Sequence, residues 1–192
     1  MHGLINYGLQ SFAEEIYGKA LWQDLVAQAE LPCETFETML IYDDDVTLRI
    51  VDHLAEMTRH KRTEILEDFG TFLVSEHSSP AILSLLKLAG ASYRDFLMSL
   101  EDVAARLKIA LPELDIPNMQ VTKHASTQFE LSFQSPLDGY GEAFLGLLRA
   151  MADYYNVLAT LDLERADANN VVSYRFLVTL YEEDWAKAQA GS

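Results

Sequence analysis

The chain has 192 residues, 14 Lys+Arg against 30 Asp+Glu, a formal net charge of −16 and 49% hydrophobic residues. That much apolar material supports a real core and excludes a disordered chain, which needs low hydrophobicity as well as high charge. With no basic stripe to release counterions, a nucleic-acid backbone is excluded as a partner. Cys33 is the only cysteine, so no intramolecular disulfide can form, and a reducing cytoplasm is the expected location. Charged residues interrupt every apolar run before it reaches about 18 residues, so no membrane span is expected. The N-terminus also lacks the basic and apolar regions of a signal peptide.

From Ile5 through Leu9, Phe12 and Ile16 the apolar residues recur at helical spacing, and Gly18 punctuates the end. Leu21, Trp22, Leu25 and Val26 predict a short second helix that stops near Pro32. Asp43, Asp44 and Asp45 offer N-cap acceptors and favourable charge to a helix running to about Arg59. Another helix begins at Thr63–Glu64, with Leu66, Phe69, Phe72 and Leu73 on its buried side, and Pro80 opens a further helical stretch through Leu88. Ser92 to about Ile109 is the clearest helix, with Tyr93, Phe96, Leu97, Leu100 and Ala104 on its inner face.

After Pro112 the period changes to two. Met119–Lys123 and the alternating Phe129, Leu131 and Phe133 predict paired strands. A helix follows over Ala143–Tyr155, then strands around Val157–Leu163 and Val172–Leu180, separated by the polar Glu164–Asn170. This order predicts an α+β architecture, a helical lobe joined through Pro112–Pro117 to a β-β-α-β-β lobe with a mainly antiparallel sheet.

No glycine-rich phosphate loop, no Gly-x-Ser-x-Gly elbow and no zinc-ligand set is present, so the chain is not expected to be an enzyme. His53, Glu56 and His60 share one helix face, but without a fourth ligand that spacing reads as a solvated face. Cys33 has Glu34 beside it, acidic company that disfavours a reactive thiolate.

Several strings then fall into a shared pattern: the opening Met1-His2-Gly3-Leu4-Ile5-Asn6, Tyr17-Gly18 with Trp22, Tyr42-Asp43-Asp44, Phe69-Gly70, Phe96 to Leu100, and Gly146-Leu147-Leu148. In these and in its order of elements the chain resembles the H-NOX family, the haem-nitric oxide/oxygen-binding domains of bacterial sensors and soluble guanylate cyclase. The resemblance implies one domain over residues 1–185, with a helical lobe at 1–111, a four-stranded sheet lobe with its helix at 112–185, and a frayed tail at 186–192.

It also places the departures. The family's iron-binding histidine matches Ala104, whose methyl group has no lone pair. The family's Tyr-x-Ser-x-Arg string, which holds the haem propionates, matches Phe133, Ser135 and Leu137, so the phenol and the guanidinium are gone. Pro117 matches a proline that presses on the haem. In a protein of charge −16, losing that cation further disfavours a dianionic group.

The pocket lining implied by the resemblance is Ile5, Leu9, Leu73, Leu100, Ala104, Pro117, Phe133, Ser135, Leu137, Phe144 and Leu148. The expectation is a non-enzymatic sensory module that holds no haem in the usual mode. It would bind a hydrophobic, fatty-acid-like molecule, with Ser135, His124 or a helix N-terminus taking the carboxylate. Its partner would be a signalling protein such as a histidine kinase or a cyclic-dinucleotide enzyme. Two alternatives stand beside it: a haem gas sensor with a non-standard ligand such as His2 or His77, and an interaction module whose pocket has closed.

Overall fold

Helix α1 (Gly3–Ile16) turns Leu9, Phe12 and Ala13 inward, and the imidazole Nδ1 of His2 accepts from Leu4 N at 3.2 Å to cap it. In this computed structural model the described residues are 1–75, 90–110, 113–114, 116–168 and 171–181, less the side chains at 103, 104, 107, 108 and 110. The helix expected after Pro80, His77 and the 186–192 tail lie outside them.

Gly18, at φ 93°, makes the left-handed turn into α2 (Lys19–Gln28) that a side chain would oppose. α3 spans Asp44–Thr58, with Asp44 and Asp45 in its first turn. Asp43 holds the N-cap position, but its side chain makes no capping bond; the acids act on this end through charge alone. α4 (Arg62–Phe72) starts where the Glu64 carboxylate accepts from Lys61 N at 2.8 Å, and α5 spans Tyr93–Ala110.

Strands β1 (Gln120–Lys123) and β2 (Gln128–Ser135) precede α6 (Tyr140–Tyr154), and β3 (Leu158–Ala168) and β4 (Val171–Tyr181) follow it. The sheet order is β1-β2-β4-β3, antiparallel throughout. Phe129, Leu131 and Phe133 stand opposite Val178, Phe176 and Tyr174, which puts the apolar alternation of both strands on one face. The segment from Glu164, expected as a separator, instead continues β3 to Ala168, with Glu164 opposite Arg175 and Arg165 opposite Tyr174. β3 is an edge strand, so its polar residues report solvent exposure rather than a turn. The Glu164 carboxylate accepts from Arg175 Nε at 2.9 Å and keeps the charges within the ladder.

Two buried clusters result. One joins α1–α4 through Leu9, Phe12, Trp22, Ile50, Leu54 and Phe69; the other joins α5, α6 and the sheet through Tyr93, Phe96, Leu131, Leu148 and Phe176. The lobes meet where α4 crosses α6, and two glycines set that crossing. A Cβ at Gly70 would lie 1.8 Å from Ala143 O, and one at Gly146 would lie 1.9 Å from Glu67 O. The two backbones approach too closely for any side chain at either position. Arg149 of α6 pairs with Glu67 of α4 at the rim of the same crossing.

An exposed helical Gly→Ala change ordinarily stabilises by about 1 kcal/mol. Here Gly146→Ala should instead destabilise by about 1–3 kcal/mol through overpacking, read as a lowered urea midpoint.

Candidate functional site

The two clusters do not merge. Between them lies a cavity of about 440 Å³, within the range of small-molecule sites, about 300–1,000 Å³. Each wall follows from a helical or strand period. α1 contributes Leu4, Ile5 and Leu9, and α3 contributes Leu48 and Val51. α4 contributes Leu66 and Phe69, followed by Leu73. From the sheet side come Phe96 and Leu100 of α5, Pro117 and Met119 of the connection into β1, Phe133 of β2, and Tyr140, Phe144 and Leu147 of α6.

Of the lining expected from sequence, Ile5, Leu9, Leu73, Leu100, Pro117, Phe133, Leu137 and Phe144 come together on this wall. Ser135 and Leu148 do not. Ser135 is buried and its hydroxyl accepts from Leu137 N at 3.1 Å. Leu148 is buried in the sheet-side cluster, and its carbonyl accepts from Tyr93 Oη at 2.9 Å. Burial, chiefly, pushes the Tyr93 phenol above its ordinary range, so it remains a donor there. Position 104 lies within α5, and its side chain is outside those described.

α6 carries the distinction that separates Leu147 from Leu148. Tyr140, Ala143, Phe144 and Leu147 reach the cavity wall, with Phe144 also against Phe133 and Phe176 of the sheet, while Leu145, Leu148, Met151 and Ala152 are buried in the sheet-side cluster away from it. Both sides are apolar, so a hydrophobic period alone does not divide them. Leu48 and Val51 of α3 also line the wall, and no motif in the sequence marks them.

None of the described wall side chains is a histidine. His2 is buried as the cap of α1, His53 Nδ1 is bonded to Arg49 O at 2.9 Å, and His124 lies half-exposed beside Glu130 at 3.2 Å. Of the three groups expected to take a carboxylate (Ser135, His124 or a helix N-terminus), the first two are not among the described wall residues. No three His, Cys, Asp or Glu side chains among the described residues come together as a metal site. An imidazole for haem iron and a guanidinium at position 137 are both missing from this wall, so the described donor set does not fit the family's mode of holding haem.

The lip is polar and tightly bonded. Tyr174 Oη accepts from Gly139 N at 3.1 Å and donates to Asp138 Oδ1 at 3.4 Å, while Asp138 also receives Arg165 Nη1 at 2.6 Å. Burial, foremost, raises the Tyr174 phenol above its usual range, which keeps the proton it donates. Gly139 takes φ 100°, and a Cβ there would lie 2.6 Å from Leu66 Cδ1, so glycine is required where the chain turns from the lip into α6.

The family model for haem-NO-binding domains (HNOB, Haem-NO-binding) matches residues 2–163. Soluble guanylate cyclase 89Da of Drosophila melanogaster is 22% identical over 158 residues, covering 82% of this chain and 24% of that protein. The chain thus spans about a quarter of the length of that relative. Among solved structures, an H-NOX protein mutant from K. algicida superposes with a TM-score of 0.81 at 19% identity, over 97% of this chain and 100% of the other. An oxygen-binding H-NOX domain related to soluble guanylate cyclases gives 0.78 at 19% identity, over 96% and 100%. At such identities the structures establish the fold. No helix among the described residues is long and apolar enough to cross a membrane.

Tyr174→Phe should leave the buried Gly139 N–H without its acceptor and cost about 1–3 kcal/mol, measured by urea denaturation.

Proposed function

The chain belongs to the haem-NO-binding family, whose domains are sensors rather than catalysts, and on that premise we propose a haem-independent sensor that takes a hydrophobic small molecule in this cavity. The observation that carries the reading is the wall itself. It is aliphatic and aromatic over nearly its whole extent and holds no described histidine, and the chain has Ala104, Phe133 and Leu137 where the family's haem-binding residues would stand.

Energetics supports a filled cavity. Leaving so apolar a wall in contact with water is unfavourable, at about 25 cal/mol per Å² of apolar surface. Water is a poor filler for an apolar wall, since each molecule needs polar partners. An apolar ligand offsets the cost with dispersion contacts. The open cavity also favours this reading over a closed-pocket interaction module.

A site between two lobes suits sensing. A ligand that touches α1, α3 and α4 on one side and α5, α6 and β2 on the other shifts their arrangement by its differential affinity for the two states. The receiver in this reading is a signalling protein, such as a histidine kinase or a cyclic-dinucleotide enzyme.

The experiment is an absorption spectrum of the purified protein together with mass spectrometry of its organic extract. A stoichiometric apolar compound without a Soret band is the expected result; a Soret band with extracted haem overturns the reading. In parallel, Ala104→His combined with Phe133→Tyr and Leu137→Arg should gain haem affinity, followed by Soret titration. Complete failure of that variant, if folded, counts against placing those three positions at the haem site.

A further inference from the structure

We propose that Met39, Leu40 and Ile41, with Tyr7 beside them, form a docking surface for an apolar helix of a partner protein that carries Lys or Arg along its flanks. The three consecutive side chains are 70%, 48% and 54% exposed, and Tyr7 is 37% exposed. A single exposed apolar side chain is ordinary, but a contiguous group of large ones marks an interaction site. Tyr7 joins the group through α1, where it lies one turn after Gly3 and one turn before Gln10. Both of those residues bond to the 36–40 segment.

The exposure is not that of a slack loop. Gly3 N donates to Leu40 O at 2.7 Å, Leu40 N to Glu37 O at 3.3 Å, and Tyr42 N to Met1 O at 2.9 Å. Gln10 Oε1 accepts from Phe36 N at 3.0 Å, and Tyr42 Oη accepts from Glu37 N at 3.1 Å. Phe36 is buried against the rings of Trp22 and Tyr42, at centroid separations of 6.3 and 4.9 Å. A Cβ at Gly3 would lie 2.0 Å from Glu37 O, so α1 is seated directly on this backbone. With the main chain already fixed, a partner meets these side chains without having to order it.

Charge selects the occupant. Glu34, Glu37 and Asp43 stand exposed around the group and form no ion pair among the described residues. Asp44 and Asp45, next along the chain, have the Met1 ammonium at 2.5 Å and Arg49 at 2.8 Å. No Lys, Arg or His occurs from Ala20 through Leu48. A second copy would set the same carboxylates against each other, and an anionic lipid surface would meet like charge. A cation-flanked protein surface complements the rim and is drawn towards a chain of net charge −16. So small a patch matches the stripe of one amphipathic helix rather than the roughly twenty residues a side of a broad interface. None of Tyr7, Met39, Leu40 and Ile41 lines the cavity, so the inference stands whatever fills it.

The test follows the fluorescence anisotropy of a labelled amphipathic Leu/Lys helical peptide titrated with the full chain at physiological ionic strength. Wild type should bind it, and Met39→Ser with Ile41→Ser should weaken binding about tenfold or more with an unchanged circular dichroism spectrum. Ile109→Ser with Leu158→Ser, which removes apolar side chains exposed elsewhere, should bind as wild type does. Glu37→Gln with Asp43→Asn should weaken binding several-fold, while Glu101→Gln with Asp102→Asn, an equal loss of exposed charge on α5, should not. No binding by wild type overturns the proposal. Undiminished binding by Met39→Ser with Ile41→Ser also overturns it, since the peptide is then held by net charge alone. Equal effects of the two charge variants overturn the acidic rim as the selecting feature. A wild-type dimer that Met39→Ser with Ile41→Ser dissociates in sedimentation velocity makes the occupant a second copy. Wild-type co-sedimentation with phosphatidylcholine vesicles, lost in that same variant, makes it a membrane. Either result overturns the partner assigned here.

Discussion

The contact of α4 against α6, backbone to backbone through Gly70 and Gly146, holds the architecture of the cavity in place. With no side chains between them, the helices come close enough for Thr71 Oγ1 to lie 3.4 Å from Gly146 O. This single crossing belongs to both lobes, since α4 is built into the helical cluster and α6 into the sheet-side cluster. Everything on either side is then held at a distance fixed by side chains elsewhere. The cavity is the space left where two well-packed clusters are joined along one seam rather than fused.

Polar bonds keep its lip from collapsing inward. The Tyr174–Gly139 and Arg165–Asp138 contacts tie the start of α6 to the two central and edge strands β4 and β3. Rings of Phe133, Phe144, Tyr174 and Phe176 pack at centroid separations of 5.2–5.9 Å beneath it. On the opposite side, the segment before α3 is fastened to the start of α1 by Gly3 N donating to Leu40 O at 2.7 Å and by the His2–Ile41 bridge. Both walls are therefore rigidly backed.

Charge at the mouth follows the same economy of placement. In a chain of net charge −16, the two carboxylates among the described wall residues each have a cation against them. Arg62 enters the wall as the head of a stripe that was read from sequence only as the buried side of a helix, Leu66, Phe69 and Leu73. Its position one turn before Leu66 places it on that same face, a spacing visible in the sequence but without meaning until the face was known to line a void.

The sequence by itself determined the elements and their order. Periods of 3.6 and 2 marked α1–α6 and the inward faces of β2 and β4, and the sequence alone states that positions 104, 133 and 137 carry Ala, Phe and Leu, without an imidazole, a phenol or a guanidinium. Only the tertiary structure decided that Leu147 faces the cavity and Leu148 the sheet, that Ser135 bonds to its own turn, that α3 supplies part of the wall, and that β3 runs on through Glu164 and Arg165. The physical reason is common to all four. Periodicity reports that a face is apolar and turned away from bulk solvent, but not whether a neighbouring side chain or a cavity lies against it. Which of these it is depends on how closely two backbones approach far away, at Gly70 and Gly146.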